Sequence, residues 1–252
     1  MNPASRLLDL AKAAATTKSG AQDRALDKWS IVLRQPGDPD KLNSTVVPRR
    51  LVKALDQADY LEATLKDMGI SPTLYGNDLL MVRHAFSPGG VSDLWTRVLA
   101  HLSPEVLKSL AWQAWAIKSG EEPVDATALK ELRERVSELT AVLDQGVGLP
   151  GTMIAQLKQQ LQALDESIRD YAITGIDPIS KEIKSSVVDI VENSDAIKAA
   201  LQTGDPKAKT ALQKFGNLLR KGNETLQSTG KPAAAINSLL ALGKETFKML
   251  GE

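Results

Sequence analysis

Proline and glycine fall at measured intervals along this chain of 252 residues, and their placement limits the fold more tightly than any other feature. Ser71-Pro72, Ser103-Pro104, Asp177-Pro178 and Asp205-Pro206 each set a side-chain acceptor beside a proline. A helix can begin at such a pair, because the proline's missing N–H costs nothing in the first turn. Gly69, Gly120, Gly146, Gly175, Gly204 and Gly230 follow periodic apolar runs, where a left-handed C-cap is wanted. Strand signals are nearly absent: the one β-branched cluster, Ser44 to Val47, stops at Pro48 and reads as an extended connector. These signals predict an all-α, multi-helical protein.

Apolar spacing fills in the helices between the stops. Residues 4–18 and 22–34 read as short helices, and Arg49 to Met68 carries Leu51, Leu55, Ala58, Leu61 and Leu65 along one stripe. Pro72 is expected to start the next helix. Leu129, Leu132, Val136, Leu139 and Leu143 alternate steps of three and four, as do Ile154, Leu157, Leu161, Leu164, Ile168 and Tyr171, which predicts an antiparallel hairpin over 125–173. Ile179 to Leu201, the run after Pro206 and the run after Pro232 extend the pattern. Gly216 and Gly243 sit inside the last two runs, where each suits a close crossing or a bend. The expected division is a compact Trp-rich helical subdomain over 1–120, packed on an up-and-down bundle of about five longer helices over 121–252. The segment 36–48, rich in proline, glycine and aspartate, is the longest loop-like stretch.

Val91 to Lys118 holds Trp95, Trp112 and Trp115, three of the four tryptophans. From Leu110 to Ile117 only Gln113 is strongly polar. The segment reads as the buried centre, with Trp112 and Trp115 in core packing rather than stacked on bases.

Thirty-one basic and 31 acidic residues cancel, so no net field draws the chain toward nucleic acid or an anionic membrane. Residues 119–203 concentrate the acids, 15 against 8 bases, an asymmetry that reads as solvated helix faces. No cysteine is present, which removes disulfides, thiolate ligands and cysteine nucleophiles. Arg6, Asp9 and Lys12 interrupt the apolar residues a secretory leader would need, and a cytoplasmic location is expected.

Motifs that carry chemistry are few. Gly146-Val147-Gly148-Leu149-Pro150-Gly151 matches G-x-G-x-x-G, but a helix pattern precedes it and no strand surrounds it, so a hairpin turn is expected and no nucleotide cofactor. Only two histidines are available, His84 and His101, and neither lies in a chelating spacing, so no metal is expected. Arg83 beside His84, and Arg97 before His101, are the weak candidates for catalysis. Arg97 and His101 invite comparison with helical ribonucleases of the HEPN type, but three residues intervene, fewer than that pattern holds. The carboxylate pairs Glu121-Glu122 and Asp165-Glu166 read as solvated charges.

By elimination the expected function is a non-enzymatic protein–protein interaction module, a scaffold, adaptor or inhibitor. It would use helix faces on a protein partner or in a homo-oligomer, with the 125–173 hairpin as its surface. One alternative is a nuclease-like or toxin/defence effector using Arg97 and His101. Another is peripheral membrane association through an amphipathic helix from Pro232 to Leu250, with burial in the bundle preferred.

Overall fold

A computed structural model of the chain describes residues 2–35, 38–117, 122–202 and 205–229. The described residues form twelve α-helices and no strand, so the all-α expectation is met. The chain divides into two compact units, residues 1–120 with 169–175, and residues 121–168 with 176–252.

In the first unit α1 (Pro3–Thr16) is the central rod, and it packs on α2 (Ala25–Val32), α3 (Val46–Asp67), α6 (Pro104–Ala116) and α9 (Tyr171–Thr174). Ala4, Ala11 and Ala14 on α1 are completely covered, because small side chains let neighbouring backbones approach closely. Asn2 caps this helix by accepting from Ser5 N at 2.9 Å. Its amide also donates to the carbonyls of Ala114 and Ile117 at 2.8 and 3.0 Å, pinning the C-terminal end of α6 against the start of α1. The centre therefore lies on α1, and Trp95, Val98, Leu102, Val106, Leu110 and Ile117 from the stretch expected at the centre belong to the same core.

Two local expectations change. Val46 and Val47 are the first turn of α3 rather than an extended connector, since Pro48 then occupies a first-turn position that has no N–H to lose. Asn43 Oδ1 accepts from Thr45 N and Val46 N at 3.0 and 2.9 Å and supplies the start signal. Pro72 begins only a single 3-10 turn, Pro72–Leu74, and α4 (Gly76–Ala85) starts afterwards. A second such turn, Pro88–Ser92, leads to α5 (Trp95–Ala100). Backbone bonds from Trp95 N to Asp23 O and from Ala25 N to Asp93 O, 2.8 and 2.9 Å, lock the starts of α5 and α2 together. Trp29 then meets Phe86 and, edge-on, Trp95, with ring centroids 5.2 and 5.1 Å apart.

The second unit contains α7 (Ala126–Asp144), α8 (Gly151–Arg169, its last residue belonging to the first unit), α10 (Asp177–Glu192), α11 (Ser194–Gln202) and α12 (Pro206–Gln227). Ion pairs fix the register. Asp144–Lys158 at 2.5 Å and Asp165–Arg133 at 3.4 Å run in opposite directions along α7 and α8, so the hairpin is antiparallel as expected. Glu138–Lys214 and Glu131–Lys221, both 2.8 Å, set α12 antiparallel to α7 in the same way. Leu132, Val136, Leu139, Leu143, Leu157, Leu161 and Leu164 are all buried, as their spacing predicted.

Three helix stops in left-handed glycine are found at Gly69, Gly146 and Gly175, with φ of 74°, 76° and 74°. Gly120, Gly204 and Gly230, Gly243 and the helix expected from Pro232 to Leu250 lie outside the described residues. So do Pro36 and Gly37 of the 36–48 loop.

The stripe predicted through Tyr171 breaks at Asp170, and the short α9 that follows carries Ile173 into the core of the first unit. A second break, at Asn193, separates α10 from α11 within the run read as continuous from Ile179 to Leu201. Gly216 is buried, and a close crossing is found at Gly222, against Ile183 of α10.

Candidate functional site

α6 shows an unexpected division of its side chains. Its inward stripe is Val106, Leu110, Gln113 and Ile117, in steps of four, three and four. Gln113 is fully covered; its Nε2 donates to Ser109 Oγ at 3.0 Å, and its Oε1 finds no partner among the described residues. Trp112 and Trp115 lie on the opposite side and are 40% and 75% exposed. This corrects the expectation of core packing.

The physical reason is angular. An eight-residue run that is apolar all round has no preferred inward side, so the neighbours decide, and Asn2 and α1 hold α6 by its Leu110 and Gln113 face. A helix that buries glutamine and leaves two indoles in water is informative in a way that a scattered exposed leucine is not. Lys108 and Ala111 complete the outward stripe, Lys108–Ala111–Trp112–Trp115, at helical spacing. On α4, which packs on α6, Leu80 is 45% exposed.

The four weak catalytic candidates separate into different arrangements. His84, at the end of α4, and His101, just after α5, do meet, with imidazole centroids 5.2 Å apart. Arg83 turns instead to α3, where its Nη2 donates to Asp59 and Glu62 at 2.9 and 2.6 Å. Burial opposes the charge on Arg83, and its hydrogen bonds to Glu62 and Asp59 more than offset that, so its pKa rises. Arg97 pairs with Asp93 at 3.5 Å and is largely solvent-facing. His101 therefore has His84 as its ring neighbour, while each arginine is engaged by a carboxylate.

The glycine motif is a turn between helices. Gly146 takes the left-handed conformation that ends α7, and Gly151 opens α8. Gly148 N donates to Asp205 Oδ2 at 2.7 Å, so an internal carboxylate occupies the N–H that a phosphate would seek. Hydrogen bonds from the backbone N–H groups of Lys207, Gly148 and Ala208 hold the Asp205 carboxyl below its ordinary pKa, outweighing the opposing effect of burial. Among the described residues no cluster of three His, Cys, Asp or Glu side chains is arranged for a metal ion. None of the described helices is long and apolar enough to cross a membrane.

A constellation that the sequence did not reveal lies inside the first unit. Arg50 is 1% exposed; its Nε donates to Asp170 Oδ1 at 2.6 Å, and its Nη1 donates to Asp38 Oδ2 and Leu33 O at 2.5 and 2.9 Å. Lys53 Nζ reaches the other Asp170 oxygen at 2.6 Å, and Arg169 stands 3.8 Å from Asp38. Burial pushes the Asp38 carboxyl up. The bonds from Arg50 and Gln35 N, with the charges of Arg50 and Arg169, outweigh this and hold it below the usual carboxylate range. Each buried charge here has a partner, which is the pattern of a structural clamp.

Set against family models, curated proteins and solved structures, the chain shows no significant match.

Proposed function

We propose that the protein is a non-enzymatic protein–protein interaction module that acts through the outward stripe of α6, and that the surface it engages is the same stripe on a second copy. One observation carries this reading: α6 buries Gln113 and presents Trp112 and Trp115. Tryptophan is the residue most enriched in the energetic centres of interfaces. The 125–173 hairpin is less suited to the role, because its leucine stripes are already buried within the second unit.

Self-complementarity supports a second copy as the occupant. When two α6 helices cross antiparallel about the midpoint of Ala111 and Trp112, each Trp112 faces the small Ala111 of the other copy. Each Lys108 ammonium then lies over the other copy's Trp115 ring, a cation–π arrangement. Four indoles and two lysine stems form a contact at the small end of the interface range, below about 1,200 Å². Association is expected to be reversible and micromolar rather than nanomolar.

Sedimentation velocity over a concentration series tests the proposal, with Trp112→Ser/Trp115→Ser and Lys108→Glu as variants. Dimer formation by the parent chain, abolished in the double variant and weakened by the charge reversal, is the expected result. A parent chain that stays monomeric to several hundred micromolar overturns it, and so does a double variant that dimerises equally well.

A further inference from the structure

The second unit contains a recess of ≈ 130 Å³ between α8, α10, α11 and α12. Met153 and Leu157 of α8, Ile197 of α11 and Leu212 and Phe215 of α12 form its apolar wall. Its polar edge has one sign only. Asp189, Thr152, Gln156, Gln160 and Asn193 line it, and no lysine or arginine does.

Asp189 is the one charged side chain on that edge. Gln160 Nε2 donates to Asp189 Oδ2, and Asn193 Nδ2 donates to the Asp189 carbonyl at 2.9 Å. Both amide nitrogens are thereby directed to Asp189. Asp189 Oδ1, Gln160 Oε1 and Asn193 Oδ1 have no donor among the described residues. Asp189 forms no ion pair among the described residues, whereas Glu131, Glu138, Asp144 and Asp165 of this unit each do. It also stands in the last turn of α10, where unsatisfied carbonyls already carry partial negative charge and a cation is favoured.

A carboxylate with no ion-pair partner beside an apolar wall matches a particular ligand chemistry. A primary ammonium has three N–H donors and no acceptor. From the geometry we propose that this recess binds a free primary alkylammonium ion, its charge on Asp189 and its chain against Leu157, Ile197 and Phe215. The volume sets the length: an apolar cavity of about 150 Å³ takes a benzene ring, so this one suits a chain of about four or five carbons. So small a ligand is held in the millimolar range. The site is separate from the α6 stripe and does not depend on the self-association proposed above.

Titration of the full chain with n-butylammonium chloride, followed by the 13C-methyl NMR signals of Met153, Ile190 and Ile197, tests the proposal. 1-Butanol serves as the uncharged probe of similar shape, and sodium chloride as the ionic-strength control. Saturable shifts of those methyls are expected with butylammonium, with butanol at least about tenfold weaker. Asp189→Asn should lose about the same factor toward butylammonium while leaving butanol unaffected. Ala196→Phe, which introduces a ring at an exposed position on the rim, should block both and keeps the test decisive if Asp189→Asn does not fold. Equal binding of butanol and butylammonium, unchanged binding by Asp189→Asn or by Ala196→Phe, or no saturable shift at these methyls, each overturns it.

Discussion

Arg50 on α3 and Asp170, which stands between α8 and α9, are 120 residues apart in sequence and 2.6 Å apart in the folded first unit, and both are about 1% exposed. That bond holds the short segment 169–175 in a unit otherwise built from residues 1–120. Removing one partner strips the other of one of its bonds, Arg50 keeping Asp38 and Asp170 keeping Lys53, at a cost of up to about 3–5 kcal/mol. Asp170→Ala and Arg50→Ala should each destabilise by that much in urea melts. Arg50→Met/Asp170→Leu should cost less than the sum of the two single changes, because the bond between them is lost only once, while Asp38 keeps Gln35 N and Arg169. A double variant as unstable as the sum of the two singles would mean that the residues act independently.

Acid should weaken the same cluster through Asp38. Its folded pKa lies below its unfolded value near 3.9, so the ionised form is preferred in the fold. The stabilisation is complete at pH values above the unfolded pKa, and it is lost as pH falls through the folded one. Between about pH 5 and pH 2 the parent's unfolding free energy should decline. Asp38→Asn should be less stable at pH 7 and should decline less steeply over that window, as read from denaturant midpoints at successive pH values. A parallel decline in both proteins would place the acid sensitivity elsewhere, with Glu62 next in line. Hydrogen bonds from Lys66 and Arg83 lower that carboxyl too.

How much of this could be read from the sequence depends on the range of the interaction responsible. Helix stops at Gly69, Gly146 and Gly175 are local events, and each appears where an apolar run meets a glycine. Val46 and Val47 read as extended in the sequence because Pro48 follows them, yet the usual conflict between proline and helix vanishes in a first turn. Trp112 and Trp115 were placed in the core because a run without polar punctuation does not say which side its neighbours will cover. The clamp of Asp38, Arg50 and Asp170 and the pairing of Gln160 with Asp189 bring together residues from separate elements, with no common period or motif. His84 and His101 were noticed as candidates, but only the folded chain shows that the two rings meet while their adjacent arginines turn to Asp59, Glu62 and Asp93.

The crossing of α10 and α12 offers a test in which two effects oppose each other. Gly222 lies inside α12, where alanine would stabilise the helix by roughly 1 kcal/mol. A methyl group there would press on Ile183 Cδ1 and stand 3.1 Å from Ile183 Cγ1, closer than ordinary contact. Overpacking of this kind costs about 1–3 kcal/mol, which outweighs the gain in propensity. Gly222→Ala should therefore lower the stability of the second unit, by a net amount up to about 2 kcal/mol. Ile183→Val removes the offending Cδ1 and alone costs about 0.5–1.5 kcal/mol through the small cavity it leaves. Combined, the two should destabilise by less than their sum, because the new methyl occupies space that the missing one vacated. A thermodynamic cycle of the four proteins checks the sign of that coupling. If the costs simply add, Gly222 is not needed for the close approach, and the helices must be able to move apart without loss.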